Sequence, residues 1–276
     1  MASLILPRDS ALFAAFAELV DSADLVFFAG LPGVGKSLLL QQLALLAREA
    51  GRRVHLLQWD VARQPFETPR YPLQDGATHP LVIKAVGAWS RGAIAEWDAA
   101  FGAEGDMLIG EAPLIGGRFM EIVRPAVDAA EALLRGERTR FVLPVPSREL
   151  RAAIEAKRAQ SIAAPRHENE AQDAPPDLLR ALWHDLNTVA FRLGLVNSPE
   201  NAPYSPAIYA SVYGHLLANR HHILADIHQI LATASSVYEG LDGLSNLRAT
   251  PEEAAAILAK LETEGPFDDA KAWYEI

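Results

Sequence analysis

The chain has no cysteine, and that absence removes disulfides, thiolate metal sites and cysteine nucleophiles from consideration. It is also short of positive charge: 25 Lys and Arg stand against 35 Asp and Glu, a formal net charge of −10. A protein that coats a polyphosphate backbone draws its affinity from clustered Lys and Arg, so this balance argues against nucleic acid as a partner. No apolar run approaches the ~20 residues that span a bilayer, and residues 1–7 are too short and too uncharged for a secretory signal. A cytoplasmic protein with no membrane partner is the expectation. No internal repeat is visible. What is present suffices for one large α/β domain: 276 residues, half of them hydrophobic and 22% charged.

The most informative stretch is Gly30, Leu31, Pro32, Gly33, Val34, Gly35, Lys36 and Ser37, an uninterrupted G-x-x-x-x-G-K-S. It lies between a short apolar run, Leu25-Val26-Phe27-Phe28-Ala29, and a leucine-rich stretch of good helix formers that ends before Gly51. Strand, glycine loop and helix therefore come in the order a phosphate cradle needs. The three glycines let successive backbone N–H groups turn toward phosphate oxygens, and the helix N-terminus adds partial positive charge. Lys36 is then the contact to the β- and γ-phosphates, and the Ser37 hydroxyl a ligand of Mg²⁺. On these residues the chain resembles the P-loop nucleoside triphosphate hydrolase superfamily, which implies binding of a Mg²⁺–nucleoside triphosphate such as ATP. The choice between ATP and GTP stays open.

Periodicity supplies the rest of the framework. Residues 10–20 have helical spacing, with Phe13, Phe16 and Leu19 on one face, expected to cover an edge of the sheet. Further strands are expected at 54–59, 107–110 and 141–145, and helices at 81–101, 119–135 (kinked at Pro125) and 177–193. Residues 207–213 are either a fifth strand or the start of a long helix to 230. The expected architecture is a three-layer α/β fold: a mostly parallel five-stranded sheet flanked by helices, as a single domain with an acceptor-side insertion (61–101), a lid (151–176) and a helical C-terminal cap (215–276). His222 and Asp226, four apart, would share a helix face, but no third ligand is well spaced for a metal. Pro251 followed by Glu252 and Glu253 marks a helix start.

In an open parallel sheet, chemistry gathers beyond the C-terminal strand ends, where Asp60 and Glu111 both fall, whereas Asp106 precedes its strand and belongs at the other end. A hydroxyl acceptor needs a carboxylate to take its proton, and the metal needs an acidic shell; Asp60 is assigned the first role and Glu111 the metal shell or the acceptor. A Glu after four apolar residues could equally activate water, which would make the protein a hydrolase that switches a protein partner.

The segment from Phe141 through Arg148, Arg151, Lys157 and Arg158 resembles the strand-then-basic-helix entry to the lid of nucleoside and nucleotide kinases. That resemblance implies arginines closing over the triphosphate: Arg151 and Arg158, with Lys157 and Arg166 in matching positions. The tight acid-Arg-Ser of deoxynucleoside kinases is missing after the third strand; Arg118 is the residue available to substitute for it as a phosphate contact. The implied activity is transfer of the γ-phosphoryl of Mg-ATP to a small-molecule acceptor. Residues 61–101 match no family pattern, but Arg63, Arg70, Lys84 and Arg91 could meet an anionic acceptor, and Trp59, Phe66, Tyr71 and Trp89 a planar one.

Overall fold

A computed structural model describes residues 3–74, 76–164, 174–199, 202–229, 231, 241, 243–264 and 272–276. Its sheet contains β1 (Leu25–Ala29), β2 (Val54–Leu57), β3 (Met107–Ala112), β4 (Thr139–Pro146), β5 (His222–Ile227) and β6 (Ser245–Asn246). Their order is β5-β4-β1-β3-β2-β6, and every pairing is parallel. A parallel sheet must bury both faces, which is why its central strands read as continuous apolar runs rather than alternating ones.

Side-chain alternation in β1 assigns the two cores. Val26 and Phe28 point to the face covered by α1 (Ala11–Ser22) and α2 (Lys36–Glu49), where Phe16, Leu40 and Leu43 are fully buried. Leu25, Phe27 and Ala29 point to the other face. That face is covered by α4 (Pro80–Phe101), α5 (Ala129–Arg135), α7 (Pro176–Arg192), α8 (Pro206–Leu216) and α9 (Pro251–Thr263). The short α3 (Trp59–Ala62) follows β2, and α6 (Arg148–Ala163) follows β4. The molecule is thus an α/β fold with a parallel sheet between helical layers.

Several expectations are corrected. The sheet has six strands rather than five among the described residues. Residues 207–213 are helical, inside α8, which is started by the Ser205 hydroxyl accepting from Ile208 N–H and by Pro206, and which stops at Leu216. The fifth strand is β5, within the stretch expected to be a helical cap; that stretch also holds β6, and its described helix is α9. His222 and Asp226 therefore lie on an exposed edge strand, not on a helix face, and no three His, Asp or Glu side chains gather as a metal site among the described residues. The helix expected over 119–135 is only α5, because Phe119 adopts φ 61°, Pro125 interrupts, and the Asp128 carboxylate caps a new start. Helix α1 packs on α2 and across the sheet face, with Phe16 and Phe28 rings 5.8 Å apart, instead of covering an edge. Arg166 lies outside the described residues, as does most of the lid loop.

An ion network fixes the segment between β3 and α5. Glu131 accepts from Arg220 Nη1 at 3.0 Å and from Arg91 Nη2 at 2.9 Å, and Arg91 also pairs with Asp128. Both arginines donate to backbone carbonyls of that segment, at Glu121, Ile122 and Arg124. Burial alone would raise the Glu131 carboxyl, but the two arginines more than offset it and hold it below its ordinary value. Glu131→Ala leaves Arg220 buried without its acid and Arg91 with Asp128 alone, and is expected to destabilise the fold by about 3 kcal/mol, measured as denaturant midpoint. The sign with pH follows: the contribution is complete above the unfolded carboxyl's pKa and is lost as pH falls through the lower folded one, so wild type and variant converge in acid.

Candidate functional site

Chain direction turns about β1. From β1 the chain runs through α2 to β2 on one side, whereas β4 leads through α6, α7 and α8 to β5 on the other. A crevice opens beyond the carboxyl ends of strands where connections diverge in this way, and residues 30–37 occupy it. Gly30 N–H still donates to Ala112 O of β3 at 3.2 Å before the loop turns away. Gly33 and Gly35 have φ 75° and 93°, which L side chains rarely adopt, so glycine there is a geometric requirement.

Gly35 is the N-cap of α2 and supplies no side-chain cap, unlike Ser10, Asp128, Ser147, Ser205 and Thr250 at α1, α5, α6, α8 and α9. The N–H groups of the first α2 turn, which includes Ser37, thus receive no side-chain oxygen from the cap. Lys36 is buried, its amine donating to Leu31 O at 2.9 Å. Burial pulls that amine down to about 8, with Glu111 opposing the shift, Arg158 and Arg151 reinforcing it, and Asp60 opposing it less. Four of the other residues singled out from sequence therefore act on Lys36 at the loop.

Each has a distinct seat. Glu111 lies opposite Phe28 in the β1–β3 register, one residue short of the strand ends, and accepts Trp59 N–H at 3.1 Å. Asp60, in α3, has a side chain 73% exposed and accepts from Arg63 Nε at 3.0 Å. Asp106 is at the far end of β3, bound to Arg53 and His55. Arg151 is not on an open lid: it is buried in α6, donates to Pro32 O at 2.8 Å and to Glu155 at 3.0 Å, and its Nη2 has no partner among the described residues. Arg158, two turns further along α6, lines with Gly33, Gly35, Leu38, Ile154 and Ile227 a pocket of about 160 Å³ beside the loop.

On the opposite flank stands Arg118, the only one of the six catalytic candidates outside the set that bears on Lys36. It lies over Trp59, 5.8 Å from guanidinium carbon to ring centroid, with Phe119 perpendicular to the same ring at 5.2 Å. The other cations considered there are engaged: Arg63 by Asp60 and Glu67, Arg70 by Glu262, Arg91 by the buried network, and Lys84 has an interaction of its own. Phe66 and Trp89 are core residues, and Tyr71 donates to Glu262.

Sequence reasoning missed two tyrosines of α8. Tyr213 donates its hydroxyl to Pro113 O at 2.7 Å, and Tyr209 presses its hydroxyl on Gly30. Their four-residue spacing puts them on one helix face, but nothing local says which loop that face meets. A Cβ at Gly30 would fall 2.2 Å from the Tyr209 oxygen, at φ 140°. Gly30→Ala is therefore expected to lower stability by about 2 kcal/mol and to displace the loop, whereas Tyr209→Phe, which removes a buried hydroxyl held by no more than a weak interaction with the Leu31 backbone, is expected to cost little. In the double variant the hydroxyl is gone and part of the loss should return, read by thermal melts of all four proteins.

No protein-family model, curated protein or solved structure matches this chain.

Proposed function

We propose that the protein is a P-loop phosphotransferase of the nucleoside/nucleotide-kinase kind, moving the γ-phosphoryl of Mg-ATP to a small-molecule acceptor. One observation carries the reading: a buried lysine at the start of a helix without a side-chain cap, in a glycine loop, with an acid on one side and two arginines on the other. A buried amine whose partner is a carbonyl, next to further cations, is poorly compensated until an anion arrives. A polyphosphate supplies that anion.

The residues present fit the implied groups. The loop N–H groups and Lys36 would hold the phosphates; Ser37 and Glu111 would hold Mg²⁺, which neutralises phosphate charge when bound. Arg151 would exchange its Pro32 carbonyl for a phosphate oxygen, using the Nη2 that has no hydrogen-bond partner among the described residues. The pocket bounded by Leu38, Ile154, Arg158 and Ile227 is apolar with a cationic rim and of a size for a base rather than a whole nucleotide. In the transfer step an acceptor oxygen bonds to the γ-phosphorus, the bridging bond to the β-phosphate breaks, ADP leaves, and Asp60 takes the acceptor proton.

A phosphotransferase is favoured over a hydrolase by the second flank. Water needs no receptor, yet half-buried Arg118 and largely exposed Asp60 stand beyond the ends of β2 and β3, on the side away from the base pocket, with the buried Trp59 and Phe119 rings backing the guanidinium from the core. The test is isotopic. With γ-labelled Mg-ATP and pooled nucleosides, nucleotides, sugars and vitamin-like alcohols, label is expected in a new phosphoester; label appearing as free phosphate alone would move the assignment to a nucleotide hydrolase.

A further inference from the structure

The acceptor flank has a chemical preference built into it. Arg118 is half-buried, and its described hydrogen bond goes to a neutral group, Ile115 O at 3.0 Å. No carboxylate among the described residues forms an ion pair with it; Asp60 acts on it only through space and is itself held by Arg63. Burial pulls its guanidinium below the ordinary value, with Asp60 opposing the shift through space. Five N–H donors in a rigid fork suit a planar or tetrahedral oxyanion, and here the fork makes a single described hydrogen bond.

The loop around Arg118 is held in a costly conformation. Leu114 and Phe119, neither of them glycine, have φ 60° and 61°. Such backbone persists where surrounding contacts over-determine it, and here they do: Leu114 N–H donates to Arg118 O at 3.0 Å, Pro113 O is anchored by Tyr213, and the Arg118 guanidinium lies over the Trp59 ring, which Phe119 meets edge-on. The outcome of that strain is one cation presented over an aromatic ring, next to Asp60.

We propose that the acceptor is an anion, a small molecule whose phosphate or carboxylate pairs with the Arg118 guanidinium beside Trp59 while its hydroxyl or phosphate oxygen meets Asp60. The inference rests on the phosphotransferase reading and narrows it. Neutral nucleosides, sugars and alcohols leave Arg118 uncompensated and are poor acceptors.

The test separates the two sources of the anion and the two layers of the argument. The full chain is first titrated with Mg²⁺ and a non-hydrolysable ATP analogue by calorimetry, which fills the glycine loop. Inorganic phosphate and acetate are then titrated in separate arms into the saturated protein. Binding of one anion per chain is expected in at least one arm, identifying the acceptor group as phosphate or carboxylate. Arg118→Met should weaken it roughly tenfold or more, as loss of charged hydrogen bonds does, with analogue affinity unchanged as proof of an intact fold. Arg118→Lys, which keeps the charge without the fork, should lie between and decides the matter if the Met variant does not fold. Analogue binding with no anion binding in either arm, or anion binding indifferent to both variants, overturns the proposal; absence of analogue binding removes the phosphotransferase reading and this inference with it.

Discussion

Replacing Lys36 by methionine is expected to cut nucleotide-dependent turnover by roughly a hundred- to a thousandfold, the loss seen when one pre-aimed charge or donor is taken from a developing phosphoryl charge. The same substitution should leave the melting temperature unchanged or raise it, because it exchanges a buried amine for an apolar chain of similar length. Loss of activity with gain of stability separates a functional lysine from a structural one. The pH dependence carries two opposite signs. The amine titrates near 8 in the folded protein against a reference of 10.5, so between those values the unfolded chain binds more protons and stability rises with pH. On the proposed reading phosphate binding uses the protonated amine, which falls away above about 8, so nucleotide affinity is expected to be full below that value and to weaken above it. Melts and binding isotherms from pH 7 to 10 should therefore diverge in wild type, and the stability trend should flatten in Lys36→Met.

Asp60→Asn is expected to lower phosphoryl transfer by roughly a hundred- to ten-thousandfold, the range a positioned general base contributes. Nucleotide affinity should change little. Asp60 is the weakest of the charges acting on Lys36, its side chain is largely exposed, and an amide keeps its shape. Retained transfer in the variant would remove Asp60 from the mechanism. A concurrent fall in nucleotide affinity would instead assign it to the metal and phosphate side.

The parts of this arrangement visible in the sequence are those whose cause is local. Leu25–Ala29, the glycine loop and α2 form one continuous stretch whose apolar run, φ-permissive glycines and helix formers each announce themselves. Asp60, Glu111 and Asp106 could be sorted to opposite sheet ends because a strand's direction is fixed by its connections, and the structure seats them so. Helix α9 begins where Pro251 and two glutamates said it would, with Thr250 and Glu253 capping each other.

What was not legible depends on distance. The edge strand β5 exposes His222, Leu224 and Asp226, so it lacks the apolar run of a buried parallel strand and resembles a polar helix. Tyr209 meets Gly30 across more than half of the chain's length. Arg151 reads as an exposed helix charge or, through the kinase resemblance, as a lid arginine, and only packing reveals that it is buried on Pro32. That no carboxylate among the described residues forms an ion pair with Arg118 is decided by packing, and no spacing encodes it.

The central claim is that residues 30–37 cradle a Mg²⁺–nucleoside triphosphate. The most direct measurement is equilibrium titration of the purified chain with ATP by calorimetry, with and without Mg²⁺, beside the Lys36→Met variant. One saturable, Mg²⁺-dependent site that disappears in the variant is the expected result. No saturable binding, or binding untouched by the loss of Lys36, would contradict it.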